Sequence, residues 1–325
     1  MHLLIYIIAQ GSTSIFRLIS YIALTQVTYL QVSPANEMHA VLDFLSLSDP
    51  NLRNVLLGTI LLSTSSSMMG TFALLKRKTL FSDAIAHAVL PGTCLAFWIT
   101  GERNPTGLIV GAFATGWLAS LAIGKITAHS KIKQDTAIAL VSSVSFGMGS
   151  FLLSILQHQS QTNQGGLKSL LLGSAATLLR EDIVLLLGLS AAIIVTILLF
   201  FKEFTLISFD ALFAKSIGIP VKKIDFLFTT LLVLAIVIGI RSVGVVLMSA
   251  MLITPAATAR FWTNKIQYIM IWSILISIFA SLGGSYISYT IPSMPTGPWI
   301  VLILSFVAYG SFAAAWFKRL FQKNG

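Results

Sequence analysis

The chain has 325 residues, 56% hydrophobic and only 10% charged, with a mean hydropathy of +0.88. Soluble domains carry about 25% charged residues, whereas apolar runs of about 18–25 residues are what a helix needs to cross roughly 30 Å of hydrocarbon, so a water-soluble enzyme is excluded. The net charge of +10 falls in short clusters between apolar runs rather than along one surface, which excludes a nucleic-acid partner, and Cys94, the only cysteine, leaves neither an intramolecular disulfide nor a thiolate-cluster metal site.

Residues 1–52 form an N-terminal extension whose first part is apolar but interrupted by Gly11, Ser12, Thr13, Ser14 and Arg17. It reads as an interfacial helix, an extra span or an upstream extension, and the clean basic start and small-residue cleavage site of a signal peptide are not obvious in it. An all-α transmembrane bundle of about nine spans follows at 53–317: 53–75, 80–100, 105–127, 136–157, 183–201, 224–240, 243–259, 266–289 and 298–317. Every odd-numbered span ends at a basic cluster, the first at Lys76, Arg77 and Lys78 and the last in the tail 318–325, while the intervening loops are poor in Lys and Arg. Basic short loops stay inside, which puts the C-terminus in the cytoplasm.

Two stretches do not span. Residues 167–180 are apolar but too short, and suggest a surface or re-entrant helix. Residues 204–221, FTLISFDALFAKSIGIPV, mix an amphipathic pattern with Asp210 and Lys215 until Gly218 and Pro220 end it; a cytoplasmic helix parallel to the membrane is expected there.

The segment richest in chemistry is SDAIAHAVLPG at 82–92. Asp83 and His87 are four apart, so a helix stacks them on one face with Cβ atoms roughly 5–6 Å apart. A carboxylate oxygen and a neutral imidazole nitrogen suit zinc, manganese or ferrous iron. Pro91 cannot donate to the His87 carbonyl, so Pro91 and Gly92 mark an expected helix break beside the pair. The plainer alternative is that Asp83 pairs with Lys76, Arg77 or Lys78 at the interface while His87 is an ordinary bundle histidine. Ionisable residues within spans are costly and favour a polar pathway.

Other positions carry less. His129 and His158 read as solvated loop residues, and Met248, Met251 and Cys94 as packing. The small residues of 244–259 and 283–289 read as close helix contacts. No GxxxxGK[ST] phosphate loop, HExxH or GxSxG element occurs, so the chain is not itself an enzyme, and any ATP chemistry must belong to a separate subunit.

Four runs in order, LLKRKTLFSDAIAHAVLPG, LISFDALFAKSIGIP, GVVLMSAMLITPAATAR and SYISYTIPSMPTGPWIVLI, resemble the membrane permeases of ABC-type zinc, manganese and iron importers over residues 53–317. The resemblance implies a multi-pass protein of the bacterial inner membrane that carries a divalent metal ion as substrate, with no permanently bound cofactor. The implied partners are a cytoplasmic ATP-binding subunit, an extracytoplasmic metal-binding protein and a second permease subunit, identical or related, all within membrane lipid. Asp83 and His87 match the family's span-two metal motif, and Phe209, Asp210, Phe213, Ala214 and Gly218 fall in the segment expected to couple to the ATPase. The alternative function is a secondary transporter driven by protons or sodium, with Asp83 and His87 as a proton relay.

Overall fold

The structure is a computed structural model, and it describes residues 50–101, 105–159, 180–290 and 296–323. Among these the regular structure is helical throughout: α1 (Pro50–Leu75), α2 (Thr79–Thr100), α3 (Pro105–His129), α4 (Gln134–Gln159), α5 (Arg180–Leu199), α6 (Phe201–Phe209), α7 (Ala211–Ser216), α8 (Val221–Val243), α9 (Val245–Arg260), α10 (Ile266–Thr290) and α11 (Thr296–Lys323). The N-terminal extension up to residue 49 and, but for Arg180, the short helix expected at 167–180 lie outside the described residues.

Each of the nine expected spans coincides with a helix, but they are not equal. Seven (α1, α2, α3, α4, α8, α10 and α11) are long and apolar enough to cross a membrane unaided, and α5 joins them only as a pair with α6, bent by 67° at the break between the two. The segment 243–259 is α9, a helix of 16 residues. At 1.5 Å per residue it extends about 24 Å, less than the roughly 30 Å of a hydrocarbon core. It begins one residue after α8 ends, because Gly244 takes φ +93°, a backbone region that costs glycine little and other residues much.

Within the window that would cross, α1 and α2 are 72% buried and α8 is 61% buried, against 17–28% for α3, α4, α10 and α11. The first three are therefore the centre, and the outer four turn large apolar side chains such as Phe151, Phe279 and Phe306 outward. Lipid tails are as apolar as leucine, so association inside a bilayer depends on close packing and interhelical hydrogen bonds. The α1–α10 contact has both. Ser273, Ser277, Ser281 and Ser285, one per turn, are buried against α1. The Ser277 hydroxyl donates to the Ser63 carbonyl at 3.2 Å, that of Ser273 to the Ser67 carbonyl at 3.4 Å, and Ser285 Oγ lies 3.5 Å from Thr59 Oγ1.

Candidate functional site

The first half of α2 is almost sealed. From Phe81 to Cys94 every residue is buried except Asp83 and His87. Two ligand-type side chains one turn apart thus occupy the only open positions of this enclosed stretch. His87 is 25% exposed at its side chain and Asp83 is 50%, with His87 Nε2 and Asp83 Oδ2 3.9 Å apart. That is too long for a hydrogen bond and slightly wider than the ~3.4 Å that separates two ligands at ~2.1 Å from a tetrahedral metal ion. The other ring nitrogen, His87 Nδ1, is buried without a hydrogen-bond partner. The imidazole is held edge-on against Phe146 of α4, with ring centres 5.2 Å apart.

The helix that carries the pair is braced from two sides. A Cβ at Gly92 would strike Gly111 and Thr115 of α3, and one at Gly149 of α4 would strike Leu90 and Pro91; the glycines let three backbones approach where bulk would part them. Against expectation, Pro91 and Gly92 do not break the helix: α2 is continuous from Thr79 to Thr100. The tight packing of both neighbours on Leu90, Pro91 and Gly92 holds helical dihedrals there, although the missing Pro91 N–H still leaves the His87 carbonyl without its helical donor.

The plainer alternative for Asp83 also fails. Lys76 and Lys78 turn instead to Asp225 of α8: Lys76 Nζ donates to Oδ1 at 2.9 Å, and Lys78 Nζ reaches Oδ1 at 3.2 Å and Oδ2 at 3.1 Å. Lys76 is 6% exposed and lies 4.3 Å from the centre of the Phe228 ring. Burial pushes its pKa down, and the Asp225 carboxylate pulls it part of the way back. Asp83 is left with no basic partner but His87 among the described residues. Asp225 is not among the residues that the sequence singles out; its signal is a lone carboxylate two positions after Lys223 at the start of an apolar run.

Among the described residues no three His, Cys, Asp or Glu side chains come together. Within the described residues this place therefore offers two ligand-type side chains, Asp83 and His87. Cys94 is sealed, its thiol 3.9 Å from the Gly149 carbonyl. His129 is exposed at the end of α3, Nδ1 3.1 Å from the Lys125 carbonyl.

The single amphipathic helix expected at 204–221 is instead two, α6 and α7, divided at Asp210, which is extended (φ −147°, ψ 95°). The physical reason is a cap: Asp210 Oδ1 accepts from the backbone N–H groups of Leu212 (3.0 Å) and Phe213 (2.9 Å), starting a new helix. Ala214 is fully buried and anchors α7, while Phe209, Leu212, Phe213 and Ile217 are all more than half exposed. Gly218 then reverses the chain at φ +86°.

Comparison with known proteins adds a family. The family model described as the ABC 3 transport family matches residues 48–315. The manganese transport system membrane protein MntC of Bacillus subtilis is 46% identical over 259 residues, 80% of this chain and 60% of that protein; the match thus spans less than two thirds of that relative's length. The zinc transport system membrane protein TroC of Treponema pallidum is 38% identical over 271 residues, 83% of this chain and 90% of that protein. Among solved structures, a chain of PsaBC from Streptococcus pneumoniae in complex with Fab superposes with a TM-score of 0.74 at 34% identity, covering 84% of this chain and 95% of that one.

Proposed function

Because the chain belongs to the ABC 3 transport family, we propose that it is the membrane-spanning permease subunit of an ATP-driven importer of a divalent transition metal ion. The metal is zinc, manganese or iron, and relatives named for manganese and for zinc leave the choice between those two chemistries open. ATP hydrolysis belongs to a separate cytoplasmic subunit, since this chain has no phosphate loop. A second permease subunit and an extracytoplasmic metal-binding protein complete the assembly. Its site is the bacterial inner membrane, with the basic ends of the helices and the C-terminus in the cytoplasm. In this reading α5 with α6 and the short α9 are also membrane passes, which brings the count to nine.

The observation that carries the reading is the open Asp83–His87 stripe on the sealed face of α2. A metal ion in transit needs ligands good enough to replace part of its water and few enough to let it go. Two protein ligands per copy meet that need, and the same pair from a second permease would supply four. A site with four ligands from one chain would trap its ion. Phe209, Leu212, Phe213 and Ile217 are the apolar contacts that α7 and the residues flanking it offer to the ATPase, with Asp210, Ala214 and Gly218 fixing the shape of the segment; an exposed apolar set around a capped short helix is suited to a groove in a partner.

The test is ATP-dependent uptake of zinc, manganese and iron into proteoliposomes holding this chain with its ATPase and binding protein. Uptake of one metal that disappears without ATP supports the proposal. Uptake driven by a proton gradient alone replaces it with a secondary transporter.

A further inference from the structure

At the basic end of the bundle lies a cavity of about 1260 Å³ bounded by the α1–α2 turn, α3, the start of α8, the junction of α6 with α7 and the end of α9. Lys76, Arg77, Lys78, Lys125, Lys222 and Arg260 line it, against a single carboxylate, Asp225. Asp225 is already taken by Lys76 and Lys78, and among the described residues no ion pair claims Arg77, Lys125, Lys222 or Arg260. The cavity is therefore a site of unspent positive charge.

Its walls change character with depth. On α3, Lys125, Leu121 and Trp117 follow one another at four-residue intervals, so they share a face. On α8, Lys222 and Phe226 do the same in the same direction, with Thr229 beyond them. The two faces meet at the inner end, where the rings of Trp117 and Phe226 stand edge to face with centres 5.7 Å apart. From Lys125 to Trp117 is about 12 Å along a helix at 1.5 Å per residue. The cavity is thus cationic at its mouth and apolar one headgroup's depth further in, and both helices repeat that order.

We propose that this cavity is a binding site for an anionic phospholipid of the cytoplasmic leaflet, with Lys125 and Lys222 on the phosphate and the acyl chain against Leu121, Trp117 and Phe226. Basic pockets between transmembrane helices on the cytoplasmic side suit acidic headgroups, and that leaflet supplies them. A free phosphate would use the mouth and leave the apolar wall bare; a lipid fills both. The proposal rests on the orientation given under the proposed function, which turns the basic ends to the cytoplasm. Gly124, also on the wall, has nothing within 4 Å of where a Cβ would stand, so a larger side chain enters the cavity there without disturbing the fold.

The experiment uses the whole transporter, permease with ATPase, extracted from membranes, in three forms: wild type, Gly124→Leu, and Lys125→Gln with Lys222→Gln. Native mass spectrometry reads retained phospholipid, and thermal melts compare added phosphatidylglycerol, phosphatidylcholine and inorganic phosphate. The expected result is retained anionic lipid in the wild type, a higher Tm with phosphatidylglycerol alone, and roughly 30-fold weaker lipid binding in the double variant from about 1 kcal/mol per lysine, with Gly124→Leu also depleted. Equal retention in all three forms overturns the proposal. So does equal stabilisation by phosphate, which would make it a bare anion site, and so does loss of the ATPase from the variants, which would make it a protein-docking surface. A wild type that imports metal but retains no lipid overturns this inference alone; one that retains lipid but imports nothing overturns the functional reading alone.

Discussion

Asp225 and Asp83 are each the fifth residue of their helix, α8 and α2, and both are half-exposed, yet they stand in opposite condition. Asp225 receives three ammonium hydrogen bonds of 2.9–3.2 Å from Lys76 and Lys78. Asp83 has His87 at 3.9 Å and no other basic group among the described residues. One carboxylate is saturated by the protein and ties the α1–α2 turn to α8. The other is kept unsaturated, beside an imidazole, where a ligand can reach it. What marks a site is thus not an aspartate in a membrane helix but an aspartate whose capacity the fold leaves unused.

The largest effect expected from this contrast is on transport. Replacing an outer-shell partner of a metal ligand costs about 10–100-fold in affinity or activity, so Asp83→Asn or His87→Ala, which remove a proposed ligand itself, should lower metal uptake by at least that factor. Because both side chains are partly open, the melting temperature and the yield of assembled transporter should stay near wild type, within about 0.5 kcal/mol. Uptake assays and thermal melts on the same preparations check both halves. Lost uptake together with lost assembly would erase the distinction between the two aspartates.

Asp225→Asn should behave in the reverse way. It leaves the 6%-exposed Lys76 with a buried charge and no counter-ion, and an unsatisfied buried group costs about 1–3 kcal/mol, read as a lower Tm. Uptake per folded molecule should be close to normal, and adding Lys76→Met should recover part of the stability because no buried charge then remains. A stable Asp225→Asn protein without transport would move Asp225 from the scaffold to the pathway.

Much of this contrast was legible in the residues, and the rest was not for definite reasons. The i, i+4 spacing of Asp83 and His87 stands in the sequence, as do the apolar lengths of seven helices that cross unaided. What spacing along one helix cannot report is which neighbour claims a charge. Lys76 and Lys78 are close in sequence to Asp83 but bond Asp225, some 150 positions away, because the α1–α2 turn faces the start of α8. Pro91 suggested a break for a sound local reason, and the packing of Gly92 and Gly149 overrode it. The division of 204–221 was readable after all: an aspartate before Ala-Leu-Phe is a helix-start signal, hidden by the apolar periodicity on either side.

A smaller effect tests what holds the imidazole. Phe146 meets His87 edge-on and is itself 46% exposed, so Phe146→Leu should cost little stability. An aromatic pair contributes about 0.5–1.5 kcal/mol beyond its area. If that contact sets the ring's angle, KM for the metal should rise about two- to tenfold with kcat little changed. An unchanged KM would show that α2 alone orients the ligand.

The smallest expected effect concerns a third ligand-type residue on the same helix. Cys94 lies seven positions beyond His87, about 10 Å further along the axis, and its thiol would suit a soft metal ion. It is nevertheless 1% exposed, with its sulfur against the Gly149 carbonyl. Chemistry without access should count for nothing, so Cys94→Ala should leave uptake and metal preference unchanged, cost no more than about 1 kcal/mol of stability, and the wild-type thiol should resist polar thiol reagents. If the reagent reacts and blocks transport, the open stripe on α2 extends past Pro91 during the cycle, and the sealed half of the helix becomes part of the path.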